Sequence, residues 1–133
     1  MVDDEIIQDW LRKADEDFDF ALSNFREGNP FYAQICFHFH QAAEKYLKAY
    51  IVAFELEFRK IHDLPVLLKI CLSKRPSFEE LREDCEYLNP FYVETRYPVH
   101  WPAIFSNEEA QKSFQSAERI RLMAKKCIKA PDP

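Results

Sequence analysis

The stretch FHQAAEKYLKA, residues 39–49, decides the fold because it combines strong helix formers with two chemically different faces. At 100° per residue its polar side chains fall within an arc of about 100°; they are Gln41, Glu44, Lys45 and Lys48. The opposite arc is apolar and continues beyond the stretch in both directions; it contains Ile35, Phe39, Ala42, Ala43, Tyr46, Ala49, Tyr50 and Ala53. This pattern predicts a helix that packs through one face and displays a mixed-charge set on the other.

The polar face of this helix has two interpretations. Glu44 and Lys48 are four residues apart, a spacing at which an ion pair stabilises a solvated helix by about 0.2–0.5 kcal/mol without any further role. Alternatively, the face belongs to a binding site that also includes two later polar segments, His62-Asp63-Leu64 and Thr95-Arg96-Tyr97-Pro98.

The composition favours a single all-helical domain over residues 1–133. A chain of 133 residues with 47% hydrophobic content has enough material for one core. Gly28 is the single glycine, whereas small β domains need glycine at the positive-φ positions of tight hairpins. The same scarcity excludes the glycine-rich loops that hold phosphates in the common nucleotide-binding folds.

Charge and hydropathy narrow the possible partners. A net charge of −5 argues against a broad basic surface for duplex DNA but permits a small local phosphate site. No apolar run is long enough for a membrane span, and the acidic start MVDDEIIQDW has neither of the regions that define a signal peptide. We therefore expect a cytoplasmic protein with no membrane partner.

The cysteines and histidines give no indication of a metal site, and no cofactor is expected. The cysteines form no C-x-x-C pair and are expected as buried thiols in a reducing compartment; they are Cys36, Cys71, Cys85 and Cys127. His38 and His40 would lie about 200° apart on a helix, which disfavours a shared ion. We interpret His38 as a surface or interface residue and His40 as flanking the polar face.

Helix signals divide the chain into four long helices and one short one. Apolar spacing and capping residues predict helices over residues 4–26, 30–58, 64–73, 77–88 and 107–129. Asn29 and Pro30 are expected to begin the second helix, while Ser77 and Ser106 fit capping boxes. The short connections predict an antiparallel up-and-down helical bundle with the second helix at its centre. A solvated acidic face is expected on the first helix, from Asp15, Glu16, Asp17 and Asp19.

In this order and spacing, the segments resemble the HEPN family, small all-α proteins of prokaryotes with relatives in larger proteins. The resemblance covers nearly the whole chain and is based on four features: Trp10 with Ala14, HQAAEKYLKA (residues 40–49), HDL (residues 62–64) and TRYP (residues 95–98). It implies a helical bundle that commonly forms dimers. For many members it also implies a minimal nucleotidyltransferase as partner, often in a toxin–antitoxin pair.

The resemblance implies two kinds of activity. Some members are metal-independent ribonucleases with an Arg-x4–6-His motif near the dimer interface, and others are expected to bind nucleotides or RNA. Here three residues, Tyr97-Pro98-Val99, separate Arg96 from His100, and the proline disfavours a continuous helix. A catalytic pair, in which His100 transfers a proton and Arg96 stabilises charge, is therefore the alternative hypothesis.

The first hypothesis is a nucleotide- or RNA-phosphate-binding module centred on Arg96. Its guanidinium can donate two parallel hydrogen bonds to a phosphate, and the neighbouring Tyr97 can stack on a base. The other ligand-binding candidates are Gln41, Glu44, Lys45, Lys48 and His62. This hypothesis requires the second helix and the Arg96 segment to meet in one polar cleft.

Structural roles are the competing interpretation for these candidates. Arg96 would then pair with Glu44 or Glu94, and His62 would form a hydrogen bond at the connection between helices. In a third hypothesis the protein is purely an interaction bundle, and aromatic residues form a dimer or partner surface; they are Tyr92, Tyr97, Trp101 and Phe105.

Overall fold

The computed structural model describes residues 2–94 and 105–130, and every regular element in these ranges is helical. In chain order the elements are α1 (Asp4–Arg26), α2 (Tyr32–Ala53), α3 (Leu64–Leu72), a 3₁₀ helix (Pro76–Leu81), α4 (Arg82–Leu88), α5 (Phe91–Glu94) and α6 (Asn107–Lys129). The predicted all-α helical bundle is thereby confirmed. None of the helices in these two ranges combines the length and apolar character needed to cross a membrane.

The central element is α2, as its long apolar pattern predicted. It packs against α1 and α6 along most of its length and also contacts α3, α4 and α5. Phe39 of α2 is fully buried, with ring centroids 5.5 Å from Phe18 of α1 and 5.9 Å from Phe114 of α6. These three rings join the three long helices in a single core.

The turn from α1 to α2 corrects the expected start of the second helix. Gly28 adopts a φ of 75°, a conformation that glycine enters without steric cost, and it ends α1 as expected. Asn29 is not the N-cap of α2, and its side-chain amide donates to Asn24 Oδ1 at 2.9 Å. Phe31 occupies the N-cap position without a side-chain hydrogen bond, so the helix begins at Tyr32 instead of Pro30.

The end of α2 also differs from the expected boundary at Phe58. The backbone turns at Glu55, whose φ is 53°, and the Leu56 N–H donates to the Ile51 carbonyl at 2.9 Å. This is the left-handed turn that usually ends a helix at glycine. Because glutamate occupies the position here, no residue type in the sequence signalled that the helix stops at Ala53.

The fourth predicted helix is divided into two short pieces. Residues 76–81 form a 3₁₀ helix, and α4 follows with seven residues, so the bundle has three long helices where four were expected. Ser77 lies inside the 3₁₀ turn, and Arg75 stands at the N-cap position without a side-chain hydrogen bond. The predicted core positions are nevertheless correct, since Phe78 and Leu88 are fully buried.

The predicted burial of the cysteines is confirmed. All four side chains are thiols, not disulfides, and are buried among core side chains; they are Cys36, Cys71, Cys85 and Cys127. Burial raises the pKa of the Cys36 thiol to about 11, and that of Cys85 to about 12. These thiols therefore behave as small apolar side chains at neutral pH.

Candidate functional site

The polar face of α2 contains an ion pair that is buried, which corrects the interpretation of this pair as a solvated one. Lys48 Nζ donates to Glu44 Oε2 at 2.9 Å, and the two side chains are only 7% and 6% exposed. Removing two charges from water costs several kcal/mol for each ion, which the attraction between them only partly offsets. A helix surface alone therefore does not explain why these residues are charged.

His62 extends the pair towards solvent. Its Nδ1 lies 2.8 Å from Glu44 Oε1, so the carboxylate contacts Lys48 through one oxygen and the imidazole through the other. The imidazole stacks on the ring of Tyr92 from α5, with centroids 4.0 Å apart and planes inclined by 14°. His62 thus forms a hydrogen bond from the α2–α3 connection to α2, which is one of its two expected roles. Its side chain remains 44% exposed.

His40 lies beneath this group and is fully buried, although it was expected only to flank the polar face. Its Nε2 is 3.2 Å from the main-chain carbonyl of His62 and therefore carries the proton, since a carbonyl only accepts. Its Nδ1 lies 3.2 Å from Gln41 Oε1. A neutral ring with its proton on Nε2 accepts at Nδ1, so we infer that the Gln41 amide is turned to present its NH₂ group instead of its oxygen. His40 fixes the backbone of His62, and burial lowers its pKa from the ordinary value.

The buried imidazole of His40 makes a pH-dependent contribution to stability. Its pKa in the folded protein lies below the ordinary value of 6.5, so the unfolded chain binds a proton first as the pH falls. We expect the free energy of unfolding to decrease below about pH 6.5 by up to about 1.4 kcal/mol per pH unit. Urea unfolding at pH 7.5, 6.5 and 5.5 would measure this slope.

The matched variant for this prediction is His40→Gln, which retains a donor for the carbonyl and does not titrate in this range. Subtracting its slope from that of the wild type removes the contribution of every other shared group. Equal slopes in the two proteins would contradict the assignment of a buried, neutral His40.

Lys45 is separated from the other candidates because it faces α1. Its Nζ donates to Asp17 Oδ2 at 2.5 Å, and His38 Nδ1 lies 3.2 Å from Asp17 Oδ1. Burial acts to raise the pKa of Asp17, but the bonds from His38 and Lys45 outweigh it and lower the pKa below its usual value. The structure therefore places Gln41, Glu44, Lys48 and His62 together and turns Lys45 away from them.

The acidic run on α1 is likewise not simply a solvated face. Asp15 accepts hydrogen bonds from the Tyr46 hydroxyl of α2 and, at 2.9 Å, from Lys125 Nζ of α6. With the Asp17 contacts, these bonds connect α1 to both neighbouring long helices. Two of the four acidic residues are thus explained by contacts between helices, which a single-helix projection could not show.

Arg96, Tyr97 and His100, the candidates of the later segment, lie outside the described residues. The cleft between α2 and the Arg96 segment therefore stays a prediction. The element that directly precedes this segment in sequence is α5, which packs on α2 through contacts that include Tyr92. We define the α2 polar cluster by its described members: His40, Gln41, Glu44, Lys48, His62 and Tyr92.

The sequence contains a signal that groups His40 with Glu44 and Lys48. His40, Glu44 and Lys48 recur every four residues, which places them on one strip of the helix. Recognising that strip as buried needed the positions of α3 and α5, which the periodicity of α2 does not give. The sequence around Tyr92 indicates only an aromatic dimer or partner surface.

Comparison with solved structures identifies the architecture first. The crystal structure of TT1696 from Thermus thermophilus superposes with a TM-score of 0.75 and 28% sequence identity, over 90% of this chain and 96% of that one. ST0689, described as an archaeal HEPN homologue, superposes with a TM-score of 0.73 and 24% identity, over 92% of this chain and 97% of that one. Both similarities extend over nearly the whole bundle.

The sequence profile of the HEPN domain matches residues 7–127. Because this match covers most of the chain, the protein belongs to the HEPN family, as the four sequence features indicated. No curated protein matches the chain significantly.

Proposed function

We propose that this HEPN protein binds the phosphate group of a nucleotide or RNA through Arg96, next to the α2 polar cluster. The observation that supports this proposal is the buried pair of Glu44 and Lys48 with His62 and Tyr92 above it. Such a group is costly to bury and is held in one geometry, so we infer that it has a role beyond stabilising the bundle. It lies against α5, and Arg96 follows α5 in the sequence after Thr95.

The charges of the cluster explain why Arg96 is the key residue of the proposal. The ammonium of Lys48 is neutralised by Glu44, and the buried His40 is uncharged at neutral pH because its pKa is lowered. The described cluster therefore offers hydrogen bonds but little net positive charge. A phosphate would need the permanently charged guanidinium of Arg96 for most of its affinity.

Replacing Arg96 by alanine is expected to weaken RNA binding by about 10- to 100-fold, since a hydrogen bond to a charged group contributes about 1.5–3 kcal/mol. Fluorescence anisotropy with a labelled single-stranded RNA, in excess chelator and at low salt, would measure the affinity. Arg12→Ala is the matched control, because Arg12 is exposed and pairs with Asp9 on its own helix. Unchanged affinity of Arg96→Ala would contradict the proposal.

The same mixtures test the ribonuclease alternative when they are run on a denaturing gel. RNA cleavage that persists in chelator and is lost in both Arg96→Ala and His100→Ala would support the ribonuclease alternative over simple binding. Intact RNA with every variant would leave the binding function in place.

We also propose that the protein acts as a homodimer, with a minimal nucleotidyltransferase, or both, in a toxin–antitoxin type of system. Two aromatic side chains support a protein contact: Phe20 and Phe31 are 52% and 57% exposed and line a groove of about 250 Å³ beside the α1–α2 turn. Light scattering after size-exclusion chromatography, alone and with a candidate nucleotidyltransferase, would measure the mass of each assembly. A monomeric mass both alone and in the presence of the nucleotidyltransferase would contradict the proposed assemblies.

A further inference from the structure

The proton of His62 is fixed by its partner. The Glu44 carboxylate accepts a hydrogen bond from Lys48 through one oxygen, and a carboxylate has no proton to donate through the other, which requires that the Nδ1 atom of His62 donates. In a neutral imidazole the other nitrogen, Nε2, then carries a lone pair and is an acceptor. This is the carboxylate–imidazole arrangement that orients histidine in many protein sites.

The imidazole is also fixed in position. Its ring stacks on the ring of Tyr92, with centroids 4.0 Å apart. The main-chain carbonyl of His62 lies 3.2 Å from His40 Nε2, which donates a hydrogen bond to it. Side chain and backbone of His62 are therefore both restrained before any ligand arrives. An acceptor that is already restrained loses little conformational entropy when it forms a further hydrogen bond.

The Nε2 atom remains available for such a bond. Within residues 2–94 and 105–130 it has no hydrogen-bond partner, and the side chain is 44% exposed. The contact between His62 and Glu44 of α2 uses only Nδ1, so it leaves Nε2 for another role. The structure thus contains an oriented acceptor at the rim of the α2 polar cluster.

We infer that Nε2 of His62 accepts a hydrogen bond from the ribose 2′-hydroxyl of the ligand, so that the protein selects ribonucleotides over deoxyribonucleotides. This inference rests on the proposed function. An ionised phosphate has no proton to donate to Nε2, whereas the 2′-hydroxyl is a donor that deoxyribose does not have. The 2′-hydroxyl is the group through which proteins distinguish RNA from DNA at a given position.

The test compares one single-stranded RNA with the DNA of the same sequence, both labelled, by fluorescence anisotropy at pH 8. The wild type should bind the RNA about tenfold more tightly. His62→Phe preserves the flat ring that stacks on Tyr92 but removes both nitrogens, and it should lower RNA affinity to the level of the DNA. His38→Phe is the matched control and should retain the tenfold ratio, since His38 faces Asp17 on the α1 side.

The outcomes separate this inference from the function on which it rests. Equal affinity of the wild type for both strands, or a ratio that His62→Phe does not change, would overturn the 2′-hydroxyl contact and leave phosphate binding intact. A parallel loss of RNA and DNA affinity in His62→Phe would also overturn it and would indicate a contact with a base. Binding of neither strand by the wild type would overturn the proposed function as well.

A second measurement requires no ligand. Nitrogen-15 NMR of the imidazole rings distinguishes the two neutral tautomers, and only four histidines are present. The His62 signals, assigned through correlations from the backbone of the wild-type protein, should show the proton on Nδ1, while His40 should show it on Nε2. A His62 ring protonated on Nε2 would overturn the inference even if the variant failed to fold.

Discussion

Replacing Lys48 by methionine is expected to lower the free energy of unfolding by about 3–5 kcal/mol, which is a large part of the stability of a small domain. The substitution preserves an unbranched side chain but leaves the buried carboxylate of Glu44 without its ammonium partner. Urea unfolding followed by far-UV circular dichroism would measure the change. The double variant Glu44→Gln, Lys48→Met should recover much of the loss, because neither charge then remains buried.

The control for this prediction is a second lysine at the same helical spacing. Lys112 pairs with Glu108 four residues earlier on α6, but these side chains are 56% and 73% exposed. Lys112→Met should therefore change stability by less than about 0.5 kcal/mol. Similar losses in Lys48→Met and Lys112→Met would show that burial of the α2 pair has no energetic consequence.

Replacing Phe39 by alanine in the wild-type protein is expected to lower the free energy of unfolding by about 3–5 kcal/mol. The side chain is fully buried between Phe18 and Phe114, so its removal leaves a cavity where α1, α2 and α6 meet. Phe20→Ala removes the same number of atoms from a side chain that is 52% exposed and should cost less than about 1 kcal/mol. A loss of less than about 1.5 kcal/mol in Phe39→Ala would contradict the central position of this ring.

The fold was largely predictable because its signals are local. The apolar stripes of α1 and α6 recur at helical spacing, and both helices have the predicted bounds. The end of α2 was not predictable, since Glu55 adopts a conformation that its residue type does not favour. The division of the fourth helix was missed because a capping-box pattern at Ser77 does not distinguish a 3₁₀ turn from an α-helical one.

The candidate site was predictable only as a set of residues. The spacing of Gln41, Glu44 and Lys48 placed them on one face of α2, but only contacts with other elements show which of them are buried. Lys45 shares that face in a projection and yet pairs with Asp17 of α1. The contact of Glu44 with His62 depends on how the chain returns from α2 to α3, which no local pattern encodes.

The buried ion pair of α2 has a consequence for large-scale mutagenesis of this protein. Substitutions at Glu44 and Lys48 are expected to reduce the amount of folded protein in the cell, because losses of a few kcal/mol change abundance. A growth or toxicity screen would record those positions as essential even if they never touch a ligand. His62, with its side chain partly exposed, is the better position for separating function from abundance, provided that protein levels are measured in the same cells.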